Sequence, residues 1–209
     1  MNNLLIGFIC IIIAYLIGSI PTGIILGKIW NKKDIRQYGS GSTGATNVMR
    51  TIGYKAAVIV LIIDVLKGVL AVYISSIISN YEWVYSISGI SVIIGHIIPI
   101  FAKFRGGKGV ATGVGAMMLI NPFGIIGLII GILTILISRL VSFGSIIGCI
   151  SGMIIMLIIH LFLNNQKSYW DLIFFIFATI IILVSHHENI RRLIKGNESK
   201  IFEKNKKLK

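Results

Sequence analysis

The chain of 209 residues is poor in charge, in acid, in cysteine and in proline. Asp, Glu, Lys and Arg make up 13% of it, about half the share of a soluble globular domain, which argues against a water-soluble fold. Two cysteines, Cys10 and Cys149, both lie inside apolar runs. They read as small core or lipid-facing residues, not as a disulfide framework or metal set. The three prolines leave no Pro-rich linker, so the chain reads as one integral-membrane domain, 1–209, with a short basic tail from about residue 190. Several catalytic patterns are missing. There is no Gly-x-Ser-x-Gly elbow, no Lys-Ser/Thr after a glycine loop as in a Walker motif, and no His/Cys/carboxylate zinc set. None of the four histidines is followed by Asp at the fifth position, which excludes the His-x-x-x-x-Asp pattern of thioester-using acyltransferases. No metal and no cofactor are expected.

Apolar sequence is what remains: 56% of the residues are hydrophobic. Long runs cover about 4–27, 54–78, 84–102, 123–138, 141–163 and 170–185, and roughly 20 residues suffice for a helix to cross a bilayer. The first run has no Lys or Arg before it and continues to about Leu26. That is longer than a signal-peptide core, so it is expected to be a retained span. A further apolar piece, Gly109–Ile120, is short; its twelve residues rise about 18 Å before Asn121-Pro122 breaks the helix.

The formal charge of +13 is unevenly placed. Lys28, Lys32, Lys33, Arg36, Arg50 and Lys55 follow the first span, and Lys103, Arg105 and Lys108 follow the third. Arg139 separates two later spans, and eight basic residues fill the tail: Arg191, Arg192, Lys195, Lys200, Lys204, Lys206, Lys207 and Lys209. If Gly109–Ile120 crosses, all of these share one side and only Lys167 falls in an opposite loop; the positive-inside rule then makes that side cytoplasmic. The expected fold is therefore an all-α polytopic membrane protein of seven transmembrane helices, one short or irregular, with the N-terminus outside and the C-terminus cytoplasmic. Basic charge beside spans suits anionic lipid rather than nucleic acid.

Three polar, glycine-rich segments interrupt the apolar pattern. Tyr38–Arg50 holds Gly39-Ser40-Gly41-Ser42-Thr43-Gly44-Ala45-Thr46-Asn47, which reads either as a backbone nest for an anion beside Arg50 or as a loop in which Thr46 or Asn47 caps the next span. Gly95–Thr112 contains Gly95-His96, Pro99 and Phe104-Arg105-Gly106-Gly107-Lys108-Gly109. Glycines on both sides of Lys108, ahead of a helix start at Val110-Ala111-Thr112, suit phosphate better than they suit a simple lipid anchor. Arg105 adds a bidentate fork. Ser185–Glu198 sets His186 and Asn189 on one face of a continuing helix and His187 with Arg191 on another, either as a reactive-group clamp or as interfacial charge, the latter suiting Arg192 and Lys195. Within span two, Asp64 and Lys67 stand at i, i+3 and read first as a structural ion pair. His160 reads as a packing contact. Glycines 124, 127, 131 and 144, 148, 152 are spaced for close helix packing.

Taken together, these segments resemble the bacterial membrane glycerol-3-phosphate acyltransferases that use acyl-phosphate. The family pattern of Gly-Ser-Gly-Asn-x-Gly-Ala-Thr-Asn, then Gly-His-x-x-Pro with Phe-Lys-Gly-Gly-Lys-Gly-Val-Ala-Thr, then His-Arg-x-Asn-Ile-x-Arg-Leu and Gly-x-Glu occurs here in order. Gly18-Ser19-Ile20-Pro21-Thr22-Gly23 and Asp64-Val65-Leu66-Lys67-Gly68 extend the similarity over nearly the whole chain. Three residues depart from the pattern: Ser42 for Asn, Arg105 for Lys and His187 for Arg.

The resemblance implies a single activity: transfer of an acyl group from acyl-phosphate to the sn-1 hydroxyl of glycerol 3-phosphate. The products would be 1-acyl-glycerol 3-phosphate and inorganic phosphate, in the first acylation of phospholipid synthesis. It implies Ser40, Arg50, Lys108, His186 and Asn189 as catalytic residues. It implies substrate binding by Gly39, Gly41, Ser42, Thr46, Asn47, His96, Arg105, Gly106, Gly107, Gly109, Thr112, His187 and Glu198. Acyl-phosphate, glycerol 3-phosphate and membrane lipids are the implied partners, with neither acyl-CoA nor acyl carrier protein as direct donor, at the cytoplasmic face of the bacterial cell membrane. The alternative from the residues alone is a transporter or flippase for a phosphorylated solute or lipid; a lipid-binding assembly protein is the third reading.

Overall fold

A computed structural model describes residues 3–31, 34–162 and 169–201. The basic residues Lys32, Lys33, Lys167, Lys204, Lys206, Lys207 and Lys209 lie outside them. The described residues form α-helices joined by short 3-10 turns: α1 (Asn3–Gly18), α2 (Thr22–Asn31), α3 (Ala45–Thr51), α4 (Tyr54–Ile78), α5 (Glu82–Ile97), α6 (Val110–Ile120), α7 (Ile125–Ser138), α8 (Val141–Phe162), α9 (Tyr169–Ser185) and α10 (His187–Ile194). The chain is a multi-pass membrane protein.

Among the described residues seven crossings do not appear. Four helices there are long and apolar enough to cross a bilayer: Asn3–Trp30, which joins α1 to α2, then α4, Glu82–Ala102, which extends α5, and α8. A fifth follows only if α9 and α10, bent by 63°, count as one span. The reason is length. The eleven residues of α6 rise about 16 Å, roughly half a hydrocarbon core of about 30 Å. Pro122, in a 3-10 turn whose N-cap Asn121 accepts from Phe123 N, separates α6 from α7, itself only 14 residues long. The opposite placement of the two termini rested on the seven-span count and falls with it.

Packing is built on close backbone approach. α1 lies against α5 and α4, α6 against α4, α7 against α8, and α9 against α5 and α8. Between α4 and α6, a Cβ on Gly68 would overlap the Thr112 carbonyl and one on Gly115 the Val65 carbonyl. The predicted glycine pairing of the later helices holds too, with Gly127 against Gly152 and Gly131 against Gly148. The apolar core runs through α1, α4, α5, α6, α8 and α9, around Val72, Val92, Ile93, Ala116, Met156 and Phe174. A smaller cluster of Ile24, Ile35, Val48, Ala57 and Val60 supports the first polar segment.

Candidate active site

The three polar segments come together at one end of the helix bundle. Two local features set the first. The helix expected to begin span two is a separate seven-residue helix, α3, capped by Gly44 and not by Thr46 or Asn47. Gly53, at φ +127, then turns the chain into α4, a backbone conformation that glycine adopts without strain.

Asn47 is the clip of this loop. Its side chain is buried. Oδ1 accepts from Ser40 N at 2.9 Å, and Nδ2 donates to the carbonyls of Ile35 (3.1 Å), Tyr38 (3.1 Å) and Ser42 (2.8 Å). Gly41 N donates to Tyr38 O, Thr43 N to Gly106 O and Gly44 N to Ser42 Oγ. Four N–H groups of the expected anion nest, those of Ser40, Gly41, Thr43 and Gly44, are therefore spent inside the protein. The Ser40 residue itself is exposed, with Ser42 and Thr46 half-buried nearby.

The second segment is held from α5. That helix ends at Ile97 and Pro99 opens a 3-10 turn over Ile100–Ala102. His96 is buried, its carbonyl accepts from Gly107 N at 3.0 Å, and a Cβ on Gly107 would overlap its Nε2. Gly109, at φ +81, caps α6 in the left-handed region, where a β-carbon is unfavourable. Thr112 is fully buried and its hydroxyl has no partner among the described residues. Arg105 is exposed.

The third segment closes the site. α9 does not continue straight; His186 stands at the bend, buried, and Nδ1 lies 2.8 Å from the Ile182 carbonyl. A carbonyl only accepts, so Nδ1 carries the hydrogen and Nε2 of the neutral ring carries the lone pair. Ser185 Oγ donates to the Lys108 carbonyl at 3.0 Å, and Lys108 Nζ donates to Asn189 Oδ1, across 81 residues of sequence. Asn189 Nδ2 donates in turn to Glu198 Oε1 at 2.7 Å. His187 is exposed, with Nδ1 donating to Val184 O at 3.1 Å.

Glu198 is the hub. Besides Asn189 it accepts from Ser142 Oγ (2.9 Å, Oε1) and Arg192 Nε (2.7 Å, Oε2), and its side chain is 4% exposed. The Arg192 of the interfacial-charge reading thus belongs to the site. Arg50 Nη2 donates to Ser199 O at 3.2 Å and Ile201 N to Arg139 O at 2.8 Å, so residues 196–201 run past α3, α8 and α10.

Electrostatics follow from this enclosure. Burial, above all, lowers the Lys108 ammonium to about 8; Glu198 opposes that shift, and the positive charges of Arg192 and Arg50 add to it. For Glu198, burial is the largest influence and acts upward, yet hydrogen bonds from Arg192, Asn189 and Ser142 leave the carboxyl below its ordinary value. Among the described residues no three His, Cys, Asp or Glu side chains converge on a metal position.

The bundle also encloses an apolar cavity of about 110 Å³. It lies among α6, α7, α8 and α9, and its lining includes Val110, Gly113, Ala178, Thr179 and Ile182. Val110 is two residues from Lys108, and Ile182 is the residue whose carbonyl orients His186.

Ser40, Arg50, Lys108, His186 and Asn189 thus lie on segments that meet, with direct contacts between Lys108 and Asn189 and, through Ser199, from Arg50 to the Glu198 strap. Sequence reasoning missed Ser142, and it included Ser185 only as the first residue of the third segment, without a role. Both are hydroxyls at a helix end on the site face, which is the only sequence signal they carry.

This arrangement is shared with known proteins. The family description "Glycerol-3-phosphate acyltransferase" matches residues 8–196. The glycerol-3-phosphate acyltransferase of Thermoanaerobacter pseudethanolicus is 45% identical over 194 residues, covering 92% of this chain and 94% of that one. Glycerol-3-phosphate acyltransferase 2 of Bacillus anthracis is 42% identical over 192 residues, covering 91% and 97%. The fold matches crystal structures of PlsY (YgiH), an integral membrane glycerol 3-phosphate acyltransferase. The match to its glycerol 3-phosphate form has a TM-score of 0.84 at 34% identity, covering 93% of this chain and 95% of that one. The match to its lysophosphatidic acid form has a TM-score of 0.81, covering 95% and 96%. The chain belongs to the glycerol-3-phosphate acyltransferase family that its three polar motifs resemble.

Proposed function

We propose that the chain works as one catalytic domain that transfers an acyl group from acyl-phosphate to the sn-1 hydroxyl of glycerol 3-phosphate. The products are 1-acyl-glycerol 3-phosphate and inorganic phosphate, and the reaction is the first acylation of phospholipid synthesis. The observation that carries this reading is that Lys108 and Asn189 are hydrogen-bonded beside His186, while Val110 and Ile182, two and four residues from Lys108 and His186, line an apolar cavity. Two phosphate-bearing heads need the first and a fatty chain needs the second.

The sn-1 oxygen forms the ester bond to the acyl carbon. The bond from that carbon to the bridging phosphate oxygen breaks, and phosphate leaves with the electron pair. Acyl-phosphate is already a mixed anhydride, so no acyl-enzyme on Ser40 is required. His186 Nε2 takes the hydroxyl proton; its lone pair follows from the Nδ1 hydrogen bond to Ile182. Lys108 and Arg50 offset phosphate charge, and Asn189 and the Ser40 hydroxyl orient the reacting oxygens. In this reading Ser42, Thr46 and the backbone around Gly39 and Gly41 contact substrate from the first segment, Arg105, Gly106 and Gly109 from the second and His187 from the third. Asn47, His96, Thr112 and Glu198, all buried or bonded within the protein, serve binding by shaping this pocket.

The pocket faces the cytoplasm. Support comes from the convergence of basic segments on one end: Arg50 reaches the tail at Ser199, and the tail returns to Arg139. The test is a donor panel on the purified protein with matched acyl-phosphate, acyl-CoA and acyl carrier protein. Turnover with acyl-phosphate alone is expected, and turnover with either thioester overturns the donor assignment.

A further inference from the structure

Beneath the two glycine-rich loops lies a buried polar cluster of which the reaction above uses only His96, and that only to shape the pocket. Asp64 and Lys67 of α4 are 2% and 4% exposed and pair at 2.7 Å. Thr22 Oγ1 donates to Asp64 Oδ1 at 3.1 Å, and Lys67 Nζ donates to the Ile20 carbonyl at 2.5 Å, so the pair holds the α1–α2 break and the first residue of α2. His96 of α5 is the fourth member, with Nδ1 3.7 Å from Asp64 Oδ1.

His96 touches a loop of the site directly, and the neighbours of Thr22 and Lys67 touch the first polar segment and the start of α6. The His96 carbonyl accepts from Gly107 N, and its Nε2 fills the space where a Gly107 side chain would be. Gly23, next to Thr22, lies against the Thr43 carbonyl, and Thr43 N donates to Gly106 O. Gly68, next to Lys67, lies against the Thr112 carbonyl in the first turn of α6. The residue between these supported points is Lys108.

A buried ion pair is poor value as stability alone, because desolvation offsets most of the attraction; its attested use is to fix one arrangement among several. We propose that Asp64, Lys67 and Thr22 are positioning residues. Together with His96 they form a frame that sets the Gly106–Lys108 turn and so holds the Lys108 ammonium against Asn189. They touch no substrate. The catalytic consequence rests on the acyl-transfer reading; the placement of Lys108 does not.

The experiment has two arms. In the first, the purified full-length protein is treated with an amine-reactive label and digested, and the labelling rate of Lys108 is compared with that of exposed Lys103 in the same digest. His96→Gln, Thr22→Val and the charge-neutral pair Asp64→Asn/Lys67→Met are expected to raise the Lys108 rate severalfold relative to Lys103. An unchanged ratio in all three overturns the proposal. Asp64→Asn alone leaves an unpaired buried cation and is an unfolding risk, which is why the double substitution and the milder Thr22→Val are used.

In the second arm, kcat is measured for Thr22→Val and His96→Gln in the wild-type and Lys108→Ala backgrounds. Misplacement by about 1 Å can cost on the order of 100-fold, so losses of about tenfold are expected in the wild type and under about twofold where Lys108 is already gone. Equal losses in both backgrounds, as from a smaller folded fraction, overturn it. If the wild type itself does not turn over, the acyl-transfer reading fails while the labelling arm still decides the frame.

Discussion

Raising the pH from 7 to 9 tests the role of Lys108 without changing a residue. An exposed lysine keeps its charge to above pH 10. Lys108 is held at about 8 by burial, with Arg192 and Arg50 opposing its protonation and Glu198 favouring it. The sign is therefore fixed: its pKa lies below the ordinary value, so the ammonium is present at pH 7 and is lost as pH rises through about 8. A single group with that pKa is about 90% charged at pH 7 and about 10% at pH 9, so kcat/KM for glycerol 3-phosphate, which reports the free enzyme, should fall about tenfold across the interval. The substrate does not confuse the result, since a phosphate monoester with a second pKa near 6 is already about 90% dianion at pH 7. Saturating substrate should shift the fall to higher pH in kcat, because bound dianions favour the ammonium. In Lys108→Arg the residual rate, whatever its size, should lose this alkaline limb, as a guanidinium does not titrate there. A flat profile to pH 9.5, or the same limb in the arginine variant, refutes the assignment.

Three further outcomes are expected. Gly107→Ala drives a methyl into His96 Nε2; an overpacking cost of ~1–3 kcal/mol at the turn before Lys108 should lower kcat/KM by about tenfold or more, read by steady-state kinetics. His186→Gln keeps a hydrogen-bonding side chain but no proton acceptor and should lower kcat by about 100-fold, with a retained rate and unchanged pH profile pointing to support instead. Ala178→Phe fills part of the apolar cavity, and the ratio of long-chain to short-chain acyl-phosphate turnover should fall while glycerol 3-phosphate KM holds.

The chemistry of the site was more legible than its architecture. A lysine set among glycines, and a His and an amide three residues apart, mark function because apolar spans have no packing use for such polar side chains. The Asp64–Lys67 pair was legible for the same reason: charge in hydrocarbon needs a partner. Span number was not legible, because apolar composition marks burial in lipid without fixing how far a helix travels, and α6 stops after eleven residues. The 63° bend at His186 had no proline or glycine to announce it. Glu198 reads as a substrate ligand until Ser142, Asn189 and Arg192 are seen bound to it, a meeting of three segments that no local pattern encodes. The same holds for Asn47, whose amide is spent on its own loop.

The central claim is that one pocket, organised by Lys108, joins two phosphate heads to a chain held in lipid. Its most direct measurement is phosphate release and lysophosphatidic acid formation from acyl-phosphate and glycerol 3-phosphate, by purified wild type and Lys108→Ala in detergent, with no membrane gradient. Equimolar products are expected from the wild type, with a loss of about 100-fold or more in a folded Lys108→Ala protein. Wild-type-like turnover in that variant, or activity only in sealed vesicles, contradicts it.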